Sequence, residues 1–528
     1  MDKLFFTIWK NKFLRNKIRN EIWRDRVIDI SVDYLKNNLK QLDNISKHIR
    51  LDIYHKNQVE QYINCKHKHL INEIRFKIDH DRKVQEERDY QFVSLDWNVF
   101  VFHHNLEKLS IDLNSTHVRL VDEGVGIPAL PDTLVELNIQ VPDQYLNFLN
   151  GLLNNLPKQL KKLTLPDNFL LTKECRLPES LTDLQYKASC NSAMKLVVPN
   201  ACKVLKSAQI TAVNDQEVLW ALEQKWIGNL VIKGTIVDPN LIPNRITNLT
   251  FDCKDQTFKA GSLHNDIVSL TLHHNIQLPK GMLPSKLKYL CLVDFNHRQI
   301  DEIPFPFPSS LQELVLPKYT TTLKPNVLPN GLKVLDMHAY NNSFQAGHLP
   351  NSLQHLLLNS FRETVRPNVL PNGLKTFRAF DPDMERNCLP QSLTSLQLPC
   401  YRGKFDKVGC LSNLKELRVH QVDPSIATLI PNNAKEFKLT FTTPQPIANL
   451  SNKSIQKLEL VCLAMKLINL KKIIDRSLQL PLSLQSLKLT DIEVNVANVI
   501  PNGCVYLSTN RPINSVNLPS SLKSIIFK

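Results

Sequence analysis

Few residues of this chain stand in patterns that could do chemistry. Cys65, His67 and His69 alternate as donors of the kind zinc accepts. A structural zinc takes four ligands, however, and no second cluster supplies the rest. The pairs His103-His104 and His273-His274 suit surface histidines. No P-loop, GxGxxG, GxSxG or HExxH spacing occurs. Asp and Glu stand without a pairing that position alone would mark as an acid-base couple. The expectation is a chain that is not an enzyme, with no catalytic residue, no bound metal and no cofactor.

Lysine carries a more regular signal. Lys161, Lys203, Lys288, Lys333, Lys375, Lys415, Lys435 and Lys523 each follow the central leucine, or its equivalent, of a recurring unit. As contacts on a strand face they would form a basic stripe for an acidic partner or a nucleic acid. Equally, they would solubilise an exposed sheet and deter edge pairing. Glu313, Glu416 and Glu436 dilute the stripe, and stacking aromatics are sparse, which argues against nucleic acid.

The amino terminus is the other candidate. Leu4 to about Tyr34 lacks Gly and Pro and suits one or two helices. On a helix, Leu4, Ile8, Ile18 and Ile22 share a face, and Phe5, Trp9, Phe13 and Trp23 widen the apolar arc. Phe5, Trp9, Leu14 and Ile18 are spaced as bulky anchors, with Lys10, Lys12, Arg15 and Lys17 among them. Such a basic helix resembles a calmodulin target. It also suits a cap over the open end of a repeat array, or a helix lying on a membrane surface.

Composition bounds the setting. The 528 residues are 42% apolar, and 65 Lys plus Arg against 50 Asp plus Glu leave a net charge of +15. No apolar run approaches the ~18 residues of a bilayer span, and the opening apolar stretch is too short for a secretory signal. The 11 cysteines are scattered without a CxxC pair. Free thiols in a reducing compartment fit that usage, so the expected location is cytoplasmic.

A repeat positions nearly everything else. Leu-Pro-x-Ser/Gly-Leu-x-x-Leu-x-Leu begins at 130, 156, 177, 283, 307, 328, 349, 370, 389, 480 and 518, where Phe replaces the first Leu at 307. Weaker copies begin at 102, 198, 223, 242, 263, 410, 430, 451 and 500, giving about twenty units of about 21 residues. The proline fixes φ and donates no hydrogen bond, marking the handover into a strand. The last two leucines, such as Leu356 and Leu358, fall on one face of that strand. An aromatic follows at Phe295, Tyr319, Tyr340, Phe361 and Tyr401, and another apolar residue four later at Leu323, Phe344, Val365 and Phe405. No 21-residue unit can bury these alone, so neighbours must stack. The predicted class is α/β leaning β, a leucine-rich-repeat-like solenoid with one parallel sheet. It has three regions: a basic helical leader or cap over 1–38, a degenerate repeat-like region over 39–101, and the solenoid over 102–528. Longer spacings after 130, 198 and 451 predict loops or short helices.

These motifs resemble the FNIP repeats of social amoebae and some giant viruses, over roughly residues 100–528. Phe295-Asn296 with Ile300 nearly retains the other half of that motif. The resemblance implies a non-catalytic intracellular scaffold for protein partners that it does not name, and residues 4–18 look like the short leader found ahead of such arrays. Some family members carry an F-box and serve as ubiquitin-ligase adaptors; this chain has no Leu-Pro-x-Glu-type opening.

Overall fold

Each repeat contributes one strand to a parallel ladder, and each strand begins six residues after its unit starts. Lys108 follows from 102, Glu136 from 130, Val334 from 328 and Ser524 from 518. The exception is the unit at 198, whose strand Lys206–Ala212 begins two residues late. There the pairing with Asp183–Ser189 is bulged, and Ser207 has φ 63°.

The structure is a computed structural model describing residues 28–30, 32–37, 49–54, 56–77, 93–95, 102–113, 118–120, 129–142, 145–201, 203–274, 276–295, 307–442, 450–463, 473–474, 480–494, 498–511, 513 and 517–527. They fall in two compact units, one within 1–235 plus 245–248 and the other within 236–244 plus 249–528.

In the first unit the ladder runs through Ile28–Ile30, Ile49–Ile53, Glu73–Lys77, Lys108–Asp112, Glu136–Gln140, Lys162–Thr164, Asp183–Ser189, Lys206–Ala212 and Asn229–Lys233, all parallel. Part of the stretch expected to be helical is therefore strand. Ile28–Ile30 pairs with Ile49–Ile53 before the helix Val32–Asn37, because an apolar-polar-apolar triplet fits a ladder edge better than a helix face. The wide spacings after 130 and 198 hold the helices Leu146–Leu153 and Asp215–Glu223. The second is closed by a capping box: Asn214 accepts from the Glu217 N–H, and the Glu217 carboxylate accepts from the Val213 N–H.

In the second unit a ladder runs in register from Ser269–Leu272 through Tyr289–Leu292, Glu313–Val315, Val334–Asp336, His355–Leu358, Thr376–Ala379, Ser395–Leu398 and Glu416–Val419. It ends on Glu436–Phe441, Lys457–Cys462, Ser486–Thr490, Tyr506–Thr509 and Ser524–Phe527. Besides the main ladders, four short parallel pairs occur among the described residues, including Thr364–Val365 with Asp383–Met384. The interior follows the sequence: Leu353, Leu356 and Leu358 have no exposed surface, and Leu323, Phe344, Val365 and Phe405 are buried. Tyr319 and Tyr340 stack at 6.3 Å between ring centroids, and Phe344 joins Tyr340 at 4.9 Å.

One recurring position was invisible in the repeat as read. The residue six before the central apolar side chain adopts positive φ at Gly261, Gly281, Asn326, Gly347, Asn368, Asn387 and Asn498. Only Gly, and less readily Asn, enters that region at low cost.

Candidate interaction surface

The strand face is built from the outward residues of each strand, since side chains alternate across the sheet. In the first unit the leading outward column reads Arg50, Glu73, Lys108, Glu136, Lys162, Asp183, Lys206 in successive coils. Its charges alternate without a break. Lys108 Nζ lies 2.7 Å from Glu136, and Arg50 lies 3.9 Å from Glu73. Beside it runs a second column that opens on Asp52 and Arg75 and is neutral from Ser110 on, where Asn138 donates to Ser110 at 2.9 Å and Thr164 donates to Gln185 at 3.0 Å. Most of this face is matched in register, although Asp52 Oδ1, Asn138 Oδ1 and Asp183 Oδ1 are buried without a hydrogen-bond partner.

The carboxyl half of the second unit does the same. Ser395, Glu416, Lys438, Glu459 and Lys488 follow one another in register. Ser395 donates to Glu416 at 3.1 Å, Lys438 lies 3.7 Å from Glu416 and 4.0 Å from Glu459, and Lys488 lies 2.8 Å from Glu459.

Between these zippered stretches the pattern stops. Over the five strands from Tyr289 to Ala379 the leading column is Tyr289, Glu313, Val334, His355, Thr376, and the second is Cys291, Val315, Asp336, Leu357, Arg378. All are half-buried except Cys291, which is buried. Among the described residues, no ion pair or side-chain hydrogen bond joins Glu313, Asp336, His355 or Arg378 to a neighbour. Asp336 Oδ1 is buried and has no hydrogen-bond partner. Burial pushes the Asp336 carboxyl up, while His338 and Arg378 pull it partway back. Burial also raises the Tyr289 hydroxyl, which is hydrogen-bonded with Cys291 and lies in the field of Glu313 and Asp336.

The lysines fall beside this face rather than on it. Lys161, Lys288, Lys333, Lys375, Lys415 and Lys435 are exposed and each stands one residue before its strand. Their column is diluted by glutamine: Gln312 and Gln354 occupy the same place in intervening coils, and Lys375 Nζ donates to Gln354 at 2.9 Å. The leader residues Phe5, Trp9, Leu14, Ile18, Lys10, Lys12, Arg15 and Lys17 lie outside the described residues, as do Asn296 and Ile300.

The histidine expectation needs correcting at one position. His103 is buried, with Nε2 donating to the Ile71 carbonyl at 2.5 Å and Nδ1 accepting from the Tyr62 hydroxyl at 3.0 Å. The unit's opening Phe102-His103 turns inward with the repeat, so this side chain follows the core. His274 sits at the C-terminal end of its strand, 3.0 Å from Asp252, while Lys318 grips Asp294 at 2.6 Å. Cys65 is buried apart from any cluster. Among the described residues, no group of three His, Cys, Asp or Glu is placed to hold a metal ion, and no helix is long and apolar enough to cross a membrane.

The family model described as FNIP Repeat matches residues 340–378. Over that stretch the chain matches the FNIP repeat. The matched FNIP stretch supplies His355, Leu357, Thr376 and Arg378 to the unpaired part of the strand face. No curated protein matches the chain. Among solved structures, it is similar to YopM from Yersinia enterocolitica WA-314, at 18% identity over 85% of this chain and 93% of that one, with a TM-score of 0.33. It is also similar to the plant peptide hormone receptor RGFR1 in complex with RGF2, at 14% identity over 95% and 89%, with a TM-score of 0.24. Fold and FNIP motif together make this a leucine-rich-repeat-like parallel solenoid.

Proposed function

We propose that this chain is a non-catalytic protein-interaction scaffold whose second unit binds a protein partner across the strand face between Tyr289 and Ala379. The observation that carries this reading is the interruption of cross-strand pairing. Elsewhere, outward charges are matched in register, leaving little for a partner to gain. Here apolar Val315, Val334 and Leu357 alternate with charged groups that form no ion pair or side-chain hydrogen bond with a neighbour among the described residues. Accessible apolar side chains, here half-buried, rimmed by polar residues fit a binding face. Lys333 and Lys375 stand at its rim. The ten described cysteines are all free, which fits an intracellular scaffold.

The test compares two sets of substitutions in the full chain. Val334→Lys with Thr376→Lys alters the unpaired face, while Lys488→Gln alters the zippered one. Crosslinked partners lost only with the first set support the reading. Partners retained by both sets refute it.

A further inference from the structure

We propose that the partner presents a cationic side chain, arginine or lysine, to the Asp336 carboxylate, seated between Val315 and Leu357 and next to Glu313. This rests on the strand-face reading above and names what that face recognises.

Asp336 differs from the ladder acids that have lysines on both neighbouring rungs. Glu136 lies between Lys108 and Lys162 in register, Asp183 between Lys162 and Lys206, and Glu459 between Lys438 and Lys488. Asp336 lies between Val315 and Leu357. One carboxylate oxygen is out of solvent with no donor. Burying a carboxylate without a compensating hydrogen bond or cation is unfavourable. Glu313 is its diagonal neighbour across one rung, so that side of the face offers it no cation. His338, two residues on, and Arg378, two rungs away beyond Leu357, lower the carboxyl pKa only secondarily to burial, and neither is hydrogen-bonded or ion-paired with Asp336.

A cation arriving from outside offsets that cost. Guanidinium suits the place best, because its flat face packs on Val315 and Leu357 while its fork meets a carboxylate. A divalent metal ion is disfavoured, since calcium and magnesium need six or more oxygen ligands and zinc four, and among the described residues too few ligands converge here. A polyanion would meet Asp336 and Glu313 with the wrong sign.

The test uses the full chain against immobilised short extended peptides with Arg, Lys, Gln or Leu fixed at the central position. Wild type is expected to retain peptides with central Arg or Lys. Asp336→Asn should weaken them by about tenfold or more, the scale of a lost charge-assisted hydrogen bond. Asp336→Leu should also lose them while melting no lower than wild type, because it removes an unanswered buried carboxylate. A residue with a purely structural role would show the opposite, with both variants melting lower and binding unchanged. Retention of peptides without a central cation, or an Asp336→Asn affinity equal to wild type, overturns the proposal. If such peptides are still lost with Val334→Lys plus Thr376→Lys, only the cationic anchor fails. If wild type retains no peptide sensitive to that pair, the strand-face reading fails with it.

Discussion

Ser352 donates its hydroxyl to the carbonyl oxygen of Leu332, one coil back, at 2.6 Å. The bond recurs at the same place in the repeat. Ser392 donates to Leu374 at 2.6 Å, Ser310 to Leu287 at 2.7 Å, and Ser180 to Leu160 at 2.7 Å. It satisfies a carbonyl at the handover where the strand ladder has not yet begun. Where the chain has glycine instead, the approach is tight: a Cβ on Gly331 would lie 2.9 Å from the Ser309 carbonyl oxygen. The Ser/Gly alternation thus reflects two ways of meeting the backbone of the preceding coil.

Ser352→Ala removes one such bond and leaves a carbonyl poorly answered. The expected loss is about 1 kcal/mol in urea unfolding of the second unit. An unchanged midpoint would show that water answers the Leu332 carbonyl equally well.

In the first unit, Lys162 separates Glu136 from Asp183. Lys162→Glu places three acids in a row. Stability should fall by roughly 1–2 kcal/mol at low salt and recover partly as salt screens the repulsion. The check is the urea midpoint at two ionic strengths; a loss insensitive to salt would point to packing instead.

Asn368 adopts φ 62°. Asn368→Val forces a β-branched residue into the left-handed region at a cost of roughly 1–2 kcal/mol. Asn368→Gly should stay near wild type, as Gly347 does one coil earlier at φ 87°. Equal melting temperatures for the two variants would contradict this.

His103 gives the first unit a pH dependence of predictable sign. Burial lowers its imidazole, the Ile71 hydrogen bond opposes this, and Lys68, His69 and His104 lower it further. The unfolded chain therefore binds the proton at higher pH than the folded one. The stabilising contribution is full above the ordinary histidine value of ~6.5 and is lost as pH falls from there toward the folded pKa. His103→Gln should flatten the stability profile of the first unit over that window, and an unaltered slope would count against the assignment.

Burial pushes the Cys175 and Cys190 thiols up to about 12. Since the thiolate is the reactive form, both should stay silent to a thiol reagent at mildly alkaline pH until the first unit unfolds. Exposed Cys410 should be labelled promptly. Fast native labelling of Cys190 would mean that its coil opens readily.

Much of the fold was legible before any coordinates. The unit start at 349 placed the strand His355–Leu358, and the aromatics Tyr319, Tyr340 and Phe361 fell inside as their recurrence demanded. These readings succeed because burial depends on the residue's own type and on its period along one chain. The asparagines at 326, 368 and 387 escaped notice because Asn looks like any loop residue until its φ is known. The lysine column was read as lying in or just before the strands, and Lys333 stands immediately before the first ladder position at Val334.

The sequence alone determined the period, the inside-outside alternation and the parallel stacking, since all three follow from local covalent geometry and apolar content. Which outward side chains face one another was decided only by tertiary structure. Aligned by repeat, Glu416 would stand opposite Glu436, like charge on like. The register slips by two residues, Leu417 pairs with Leu439, and Lys438 takes the place beside Glu416 instead. A slip of two preserves which side chains are buried while exchanging every neighbour on the exposed face. The interior is indifferent to that choice, so only the folded ladder reveals where the charges are matched and where, around Asp336, they are not.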